Sequence, residues 1–303
     1  MGLSHLLALA LLGLDVKDVA QQAPSPPVFA VDTEVVNLTV AVRDQGGNLV
    51  TDLGPDDFLI LEDGRPQVVQ VFGRAHEAGQ DEVLGLDLGL LMDTSTSMLE
   101  ELKLSQEAAV RFLETIPRAR ELLTIFFDDE IRLSRYDSEN QQGLFGRIHA
   151  AKGGGNTALY DAITVYLSRI EGSAGRKVLV LFTDGEDTVS DVKRSELVQI
   201  VRSSAVTIYP IAFSKGLRPG SPTLLARAFL QQLADLTGGE VFTPSTSRDL
   251  PRIYQKILDA LSAQYVLGFT SDRQARDGKY RKLKVRVRRE GLKVRHRAGY
   301  YAR

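Results

Sequence analysis

An α/β fold is expected: a doubly wound, mostly parallel sheet (Rossmann-like) inserted in a small all-β, sandwich-like domain. The stretch Leu84–Met98, LGLDLGLLMDTSTSM, is an apolar run that stops abruptly in Asp, Thr and Ser. A strand buried on both faces has this near-continuous apolar character, and the residues after it cap and turn. From there to about residue 263, apolar strands alternate with helical stretches, the pattern of a parallel sheet with crossover helices. Alternating strand patterns lie on both sides of that segment. Strands left with open edges need partners, and the economical arrangement pairs the two flanks with each other. Three parts follow: 1–27 as a signal-like segment and linker, 28–78 plus 264–303 as a discontinuous β domain, and 84–263 as the α/β domain.

The 303 residues suit about two domains. The formal net charge is −2, so nothing global argues for nucleic acid, although the tail from Arg273 onward is basic. Cysteine is absent, which removes disulfides, thiolate metal sites and cysteine nucleophiles. His5, His76, His149 and His296 lie far apart. Leu6–Leu14 (LLALALLGL) is much shorter than the roughly 20 residues that span a bilayer. It has the look of a signal-peptide apolar segment, without a Lys or Arg ahead of it. Export to the periplasm, cell surface or medium is the expectation, with no transmembrane span in the mature chain and a cytoplasmic location as the alternative.

Gln21–Pro27 is a linker by composition. Val35–Val42 and Phe58–Leu61 alternate as strands, and Asp63-Gly64 marks a hairpin from which Val68–Phe72 is expected to pair back. In the α/β part, strands are expected at Leu84–Met92, Glu121–Phe127, Ile131–Arg135, Lys177–Phe182, Thr207–Phe213 and, briefly, Val241–Phe242. Helices are expected at Glu100–Ile116, Asn140–Ala150, Ala158–Ile170, Lys193–Ser203, Leu224–Leu236 and Leu250–Leu261. The chain then returns to strands: Gln264–Phe269, Tyr280–Arg289 and, after Gly291, Val294–Tyr301. In Tyr280–Arg289, Leu283, Val285 and Val287 share one face, and Lys284, Arg286 and Arg288 the other.

Three loops carry oxygen side chains. They are Asp93-x-Ser95-x-Ser97, Gly153-Gly-Gly-Asn-Thr157, and Thr183-Asp184-Gly185. The first and third follow apolar strands and the second precedes a helix, so in a doubly wound sheet all three lie on one rim, outside the carboxyl ends of strands, where such folds bind ligands. A donor set without nitrogen or sulfur suits a hard cation. Mg²⁺ takes octahedral oxygen and is often held by one or two carboxylates.

Asp93-Thr-Ser95-Thr-Ser97, Thr157 in GGGNTALYDAI and Asp184 in FTDGED resemble, in chain order, the metal-ion-dependent adhesion site of the von Willebrand factor type A domain. The resemblance covers about Leu84–Ala263. It implies that Ser95, Ser97 and Thr157 ligate the ion directly, with Asp93 and Asp184 acting through water. The ion would be Mg²⁺, or Mn²⁺ or Ca²⁺, and a protein partner's Glu or Asp would supply the last position. The flanks FLILEDGRPQVVQVF and YVLGFTSDRQARDGKYRKLKVRVRREGLKVRHRAGYY are similar to those of exported bacterial proteins with type A domains. In integrin-like relatives the last helix, here Leu250–Leu261, shifts on occupancy.

Plainer readings stand beside these. Ser97 and Thr157 are also reasonable helix N-caps, Asp161 a capping or supporting group, Asp128–Glu130 a hairpin turn, and Glu186 and Asp187 an acidic rim. The basic stripe Lys279–Arg297 reads as a solvated strand face rather than a nucleic-acid surface. The leading function is a metal-dependent adhesion or assembly module, not an enzyme. One alternative is a metal-dependent hydrolase or phosphotransferase, which finds no P-loop, GxSxG or GxGxxG motif here. Another is a cytosolic adaptor for an AAA-type ATPase. The oligomeric state is not readable from the sequence.

Overall fold

The computed structural model describes residues 35–74, 85–116, 119–136, 141–173, 175–213, 222–273 and 276–302. The expected signal-like run and linker lie outside these residues. Among the described residues no helix is long and apolar enough to cross a membrane.

The chain enters through β1 (Val35–Arg43), β2 (Phe58–Glu62), β3 (Arg65–Gln67) and β4 (Val71–Arg74). Asp63 and Gly64 have φ of 46° and 84°, the left-handed pair that a two-residue hairpin requires. The expected return strand differs, however. Arg65–Gln67 pairs back on β2, with Glu62 opposite Arg65 and Ile60 opposite Gln67. The run at 68–72 instead leaves that sheet, and β4 pairs elsewhere. A two-residue turn places the partner strand immediately after it, so the more apolar run five residues on is out of register.

The α/β part follows the expected alternation. β5 (Leu86–Asp93), β6 (Glu121–Phe127), β7 (Ile131–Tyr136), β8 (Arg176–Thr183) and β9 (Thr207–Ala212) form one sheet in the order β7-β6-β5-β8-β9. All its pairs are parallel except the hairpin β6–β7, so Asp128–Glu130 is the hairpin turn. Val241–Phe242 contributes a single parallel bridge from Phe242 to Ile211 rather than a strand. The helices are α1 (Leu102–Thr115), α2 (Gln141–Ala150), α3 (Leu159–Ile170), α4 (Arg194–Ser203), α5 (Pro222–Thr237) and α6 (Leu250–Ser262). One face of the sheet is buried against α1, α2 and α6, the other against α3, α4 and α5. In α6, Leu250, Ile253, Tyr254, Ile257, Leu258 and Leu261 are buried, the spacing of a single apolar stripe. Gly89 lies in mid-strand because Tyr166 of α3 crosses it. A Cβ there would meet the ring at 2.2 Å, and the Tyr166 hydroxyl reaches over to donate to Val178 O at 3.0 Å.

After α6 only Ala263 and Gln264 precede β10 (Tyr265–Thr270), followed by β11 (Tyr280–Val287), β12 (Lys293–Arg295) and β13 (Gly299–Tyr301). The expected continuous strand Val294–Tyr301 is broken in two, and its halves join different sheets. His296 sits at the break. Its Nε2 accepts the Val285 N–H at 3.0 Å and its Nδ1 contacts Arg297 O at 2.7 Å. Two four-stranded antiparallel sheets result, β12-β1-β10-β4 and β13-β11-β2-β3. Each contains strands from before and after the α/β part. Val36, Leu38 and Leu267 from one sheet and Phe58, Ile60, Leu283 and Val285 from the other share one core. As expected, Leu283 and Val285 face inward while Lys282, Lys284 and Arg286 are exposed. The same alternation turns Arg281 inward, 3% exposed, beside the fully buried Glu62. Ser271 donates to Glu62 Oε2 at 2.7 Å and Arg281 approaches it at 3.6 Å, so the buried charges neutralise each other.

Candidate metal centre

β5 ends at Asp93, which has no exposed surface. Its Oδ1 accepts the Ser95 N–H at 3.0 Å and the Ser95 hydroxyl at 2.5 Å. Its Oδ2 accepts the Thr183 hydroxyl at 2.7 Å. A hydroxyl has one proton to give, and that of Ser95 goes to Asp93. The 3.1 Å contact between the Ser95 and Ser97 hydroxyls is therefore donated by Ser97. Thr183 in turn accepts the Gly185 N–H at 3.0 Å. Two short relays thus end on one carboxylate, and every donor in them is neutral. Burial pushes the Asp93 carboxyl up to about 6, against the pull of these hydrogen bonds, and the charge of Asp184 adds to the rise.

The glycine-rich loop is tied to this turn. Gly154 donates to Thr94 O at 2.8 Å, and Thr96 donates to Gly155 O from its N–H at 3.0 Å and its hydroxyl at 2.8 Å. Gly155 has φ of +78°, and a Cβ there would lie 2.0 Å from Asp129 Oδ2. Only glycine tolerates both the left-handed backbone and that approach. Asp129 holds the next residue, accepting the Asn156 N–H at 2.9 Å and its Nδ2 at 2.7 Å. Asp128 has a different task. It forms an ion pair with Arg132 and accepts from Glu130 N and Thr94 Oγ1, and these groups outweigh its burial and hold its carboxyl below the usual range.

The third loop closes on the second. Thr157 N–H donates to Thr188 Oγ1 at 2.9 Å, and Thr188 N–H returns to Thr157 O at 2.9 Å. Asp184 accepts the Glu186 N–H at 3.0 Å. The segments bearing Asp93, Ser95, Ser97, Thr157 and Asp184 are therefore brought to one rim of the sheet, joined through Thr183, Gly155 and Thr188.

The capping alternatives meet a different arrangement. Glu101, not Ser97, stands at the N-cap of α1, and Ala158 at that of α3. The exposed N–H groups of α3 are served from the third loop. Tyr160 N–H donates to Asp187 Oδ1 at 3.0 Å and to Ser190 Oγ at 3.1 Å, and Asp161 N–H to Ser190 Oγ at 3.2 Å. Asp187 is thus a remote cap rather than part of an acidic rim. Asp161 supports the same loop, accepting from Asp191 N and Val192 N at 2.9 Å each. The bonds that fix Thr157 all run through its main chain, which leaves its hydroxyl for another partner. Three roles were not read from the sequence: Thr183 as a donor to Asp93, Thr188 as the tie between loops, and Asp187 as a cap rather than rim. The adjacency of Thr183 to Asp184 was the one available signal.

The sequence model of the von Willebrand factor type A domain matches residues 87–256, more than half of the chain. The chain belongs to this family. A protein of Nocardia farcinica (strain IFM 10152), described as a UPF0353 protein, is 22% identical over 245 residues, 71% of this chain and 72% of that one. A von Willebrand factor type A structure from Catenulispora acidiphila is 12% identical, with a TM-score of 0.50 over 91% of this chain and 65% of that one. An aerotolerance-related membrane protein from Bacteroides fragilis NCTC 9343 is 15% identical, with a TM-score of 0.48 over 58% of this chain and 98% of that one.

Type A domains commonly bind a divalent metal and mediate protein–protein interactions. Among the described residues no three of His, Cys, Asp and Glu gather as a metal-holding group. The type A rim here offers two carboxylates and three hydroxyls instead. That set fits a hard cation on two counts: every donor is oxygen, and Asp93 is a desolvated carboxylate whose bonded partners bring no positive charge.

Proposed function

We propose that this rim binds Mg²⁺ (or Mn²⁺ or Ca²⁺) through Ser95, Ser97 and Thr157, with Asp93 and Asp184 close behind. The bound ion grips a Glu or Asp of a protein partner, making the chain an adhesion or assembly module. The observation that carries this reading is Asp93, a buried charge surrounded by neutral donors and next to a second carboxylate. Isolated buried charge is costly and is normally paired or bound to metal. A hydroxyl that donates its proton to Asp93 still has lone pairs for a cation, so the Ser97–Ser95–Asp93 relay and metal coordination are compatible. Because three of the five donors are uncharged, an ion held there keeps an appetite for an anionic ligand from outside.

One neighbouring surface suits an acidic partner. A cleft of about 360 Å³ opens next to the glycine-rich loop, and Arg147 and Lys152 line it together with Arg132, which is already paired with Asp128 and Glu130. Such complementarity steers an acidic partner and fixes its register. The phosphotransferase alternative needs Asp93 as a nucleophile, but both of its oxygens are engaged and none of its surface is exposed.

The test is capture of envelope proteins by the immobilised chain in Mg²⁺ and in EDTA. Capture in Mg²⁺ that disappears with EDTA and with Asp184→Ala is expected. Capture indifferent to both would overturn the reading. Residues 28–78 and 264–303 as one discontinuous domain, and export of the chain, belong to the same proposal. Cell fractionation addresses the second, and a cytosolic chain would favour the ATPase-adaptor alternative.

A further inference from the structure

A second cleft, of about 640 Å³, lies where the α/β part meets the sandwich. It is remote from the rim of Asp93: Leu236 and Gly238 at the carboxyl end of α5 line it, and Thr237 there holds Ile208 N–H, at the start of β9, at 3.1 Å. The remaining walls come from α4, β11 and β12. Four cationic side chains line it, Arg202, Lys282, Lys293 and Arg295, against one carboxylate, Asp235. The lining residues thus carry a formal excess of +3.

These cations are weakly committed. Arg202 lies 5.4 Å over the Tyr280 ring, and its Nε is buried without a hydrogen-bond partner. Lys282 and Lys293 are exposed and take part in none of the ion pairs among the described residues. Arg295 uses Nη1 on Gly239 O at 2.6 Å, a neutral acceptor. Asp235 receives Gln231 Nε2 at 2.8 Å rather than an arginine or lysine. His296 also borders the cleft, but both ring nitrogens are spent on the backbone and burial holds its pKa down, so it adds no charge.

We propose that this cleft is a binding site for a multiply phosphorylated anion, distinct from the metal rim and independent of it. Guanidinium forks match phosphate oxygens and lysines serve as point charges beside them. The volume lies in the range of ligand sites and exceeds what one phosphate fills. A phosphate group carries up to two negative charges, so two adjacent groups neutralise the excess in a compact ligand, whereas carboxylates need one group per charge. Because its walls come from both parts of the fold, an occupant fastens the sandwich to the α/β sheet.

The test is isothermal titration of the whole chain with tripolyphosphate in 0.15 M chloride, about physiological ionic strength. One saturable site is expected, unchanged by Asp184→Ala. Lys282→Gln with Lys293→Gln, which removes exposed charges and no packing, is expected to weaken it by about tenfold per lysine. Vesicles of phosphatidylglycerol form a second arm. Binding to them that tripolyphosphate displaces assigns the phosphate to a lipid headgroup, and tripolyphosphate binding without vesicle binding assigns it to a soluble ligand; either supports the site. No saturable binding, sulfate competing equally at matched ionic strength, no loss in the double lysine variant, or tighter binding of a hexaglutamate peptide would each overturn the assignment.

Discussion

Two aspartates on one strand show how differently a sheet can treat the same charge. Asp87 and Asp93 both belong to β5 and neither has exposed surface. Asp87 sits at the amino end of the strand. Arg120 grips it with two hydrogen bonds, at 2.9 and 2.5 Å, and the Ser173 hydroxyl also donates to it. Asp93 sits at the carboxyl end with neutral donors and a neighbouring carboxylate. The first carboxylate is closed by its own chain. The second meets only neutral donors, and the proposed cation would be recruited at that end. Burial alone therefore says little about role; what neutralises the buried charge says more.

The contrast can be attacked directly. The largest effect is expected from Arg120→Ala, which leaves the buried Asp87 with the Ser173 hydroxyl as its remaining side-chain donor. Arg120 is itself 48% exposed, so solvent screens the pair, and the loss is expected at about 1–3 kcal/mol, that of a buried acceptor losing its hydrogen bonds; urea unfolding should show that loss with Mg²⁺ affinity unchanged. Next comes Asp93→Asn. The raised pKa of about 6 means that holding Asp93 ionised at pH 7 costs the metal-free fold about 3 kcal/mol. Removing the charge should leave metal-free stability equal or higher, by up to that amount, while abolishing stabilisation by Mg²⁺. Loss of stability comparable to Arg120→Ala would erase the distinction.

The same shift has a pH signature. The native state of the metal-free protein binds a proton that the unfolded state has released between about pH 4 and 6. Stability from this group is thus present in acid and is lost as pH rises through that window. The difference profile between the wild-type chain and Asp93→Asn should show this slope, and saturating Mg²⁺ should oppose it. Smaller effects belong to the supporting loop. Gly155→Ala forces a left-handed residue against Asp129 and should cost about 1–2 kcal/mol while weakening metal binding. Thr157→Val keeps the shape and removes one oxygen, so a loss of metal affinity of about tenfold, on the order of one hydrogen-bond-sized interaction, is expected with little change in unfolding.

The two aspartates also mark how far the sequence could be read. Asp93-x-Ser95-x-Ser97 declares itself because its parts are adjacent and follow a buried strand. Asp87 interrupts the same apolar run, but its partners, Arg120 and Ser173, lie 33 and 86 residues away, and no local pattern links them. The hairpin at Asp63-Gly64 was readable from its turn chemistry, while its return strand was misplaced because apolar content outranked register. The capping role of Asp187, which the sequence offers only as part of an acidic rim, is hidden for a similar reason: it caps a helix that begins 28 residues before it. Arg281 was recoverable, since strand alternation puts it on the face of Leu283 and Val285, yet a charged residue there reads against that face until Glu62 is known to wait beneath it.

The two-residue link after α6 has a mechanical outcome. Ala263 and Gln264 leave about 7 Å of reach even when stretched, and Arg176 pins them through Leu261 O at 2.9 Å and Gln264 Oε1 at 3.3 Å. β10, which they feed, is bonded along both edges, to β1 and to β4. Travel of α6 by one turn, about 5.4 Å, has no slack to absorb it. Either the helix stays still or the central strand of the neighbouring sheet is dragged with it, so this joint works as a rigid coupling rather than a hinge.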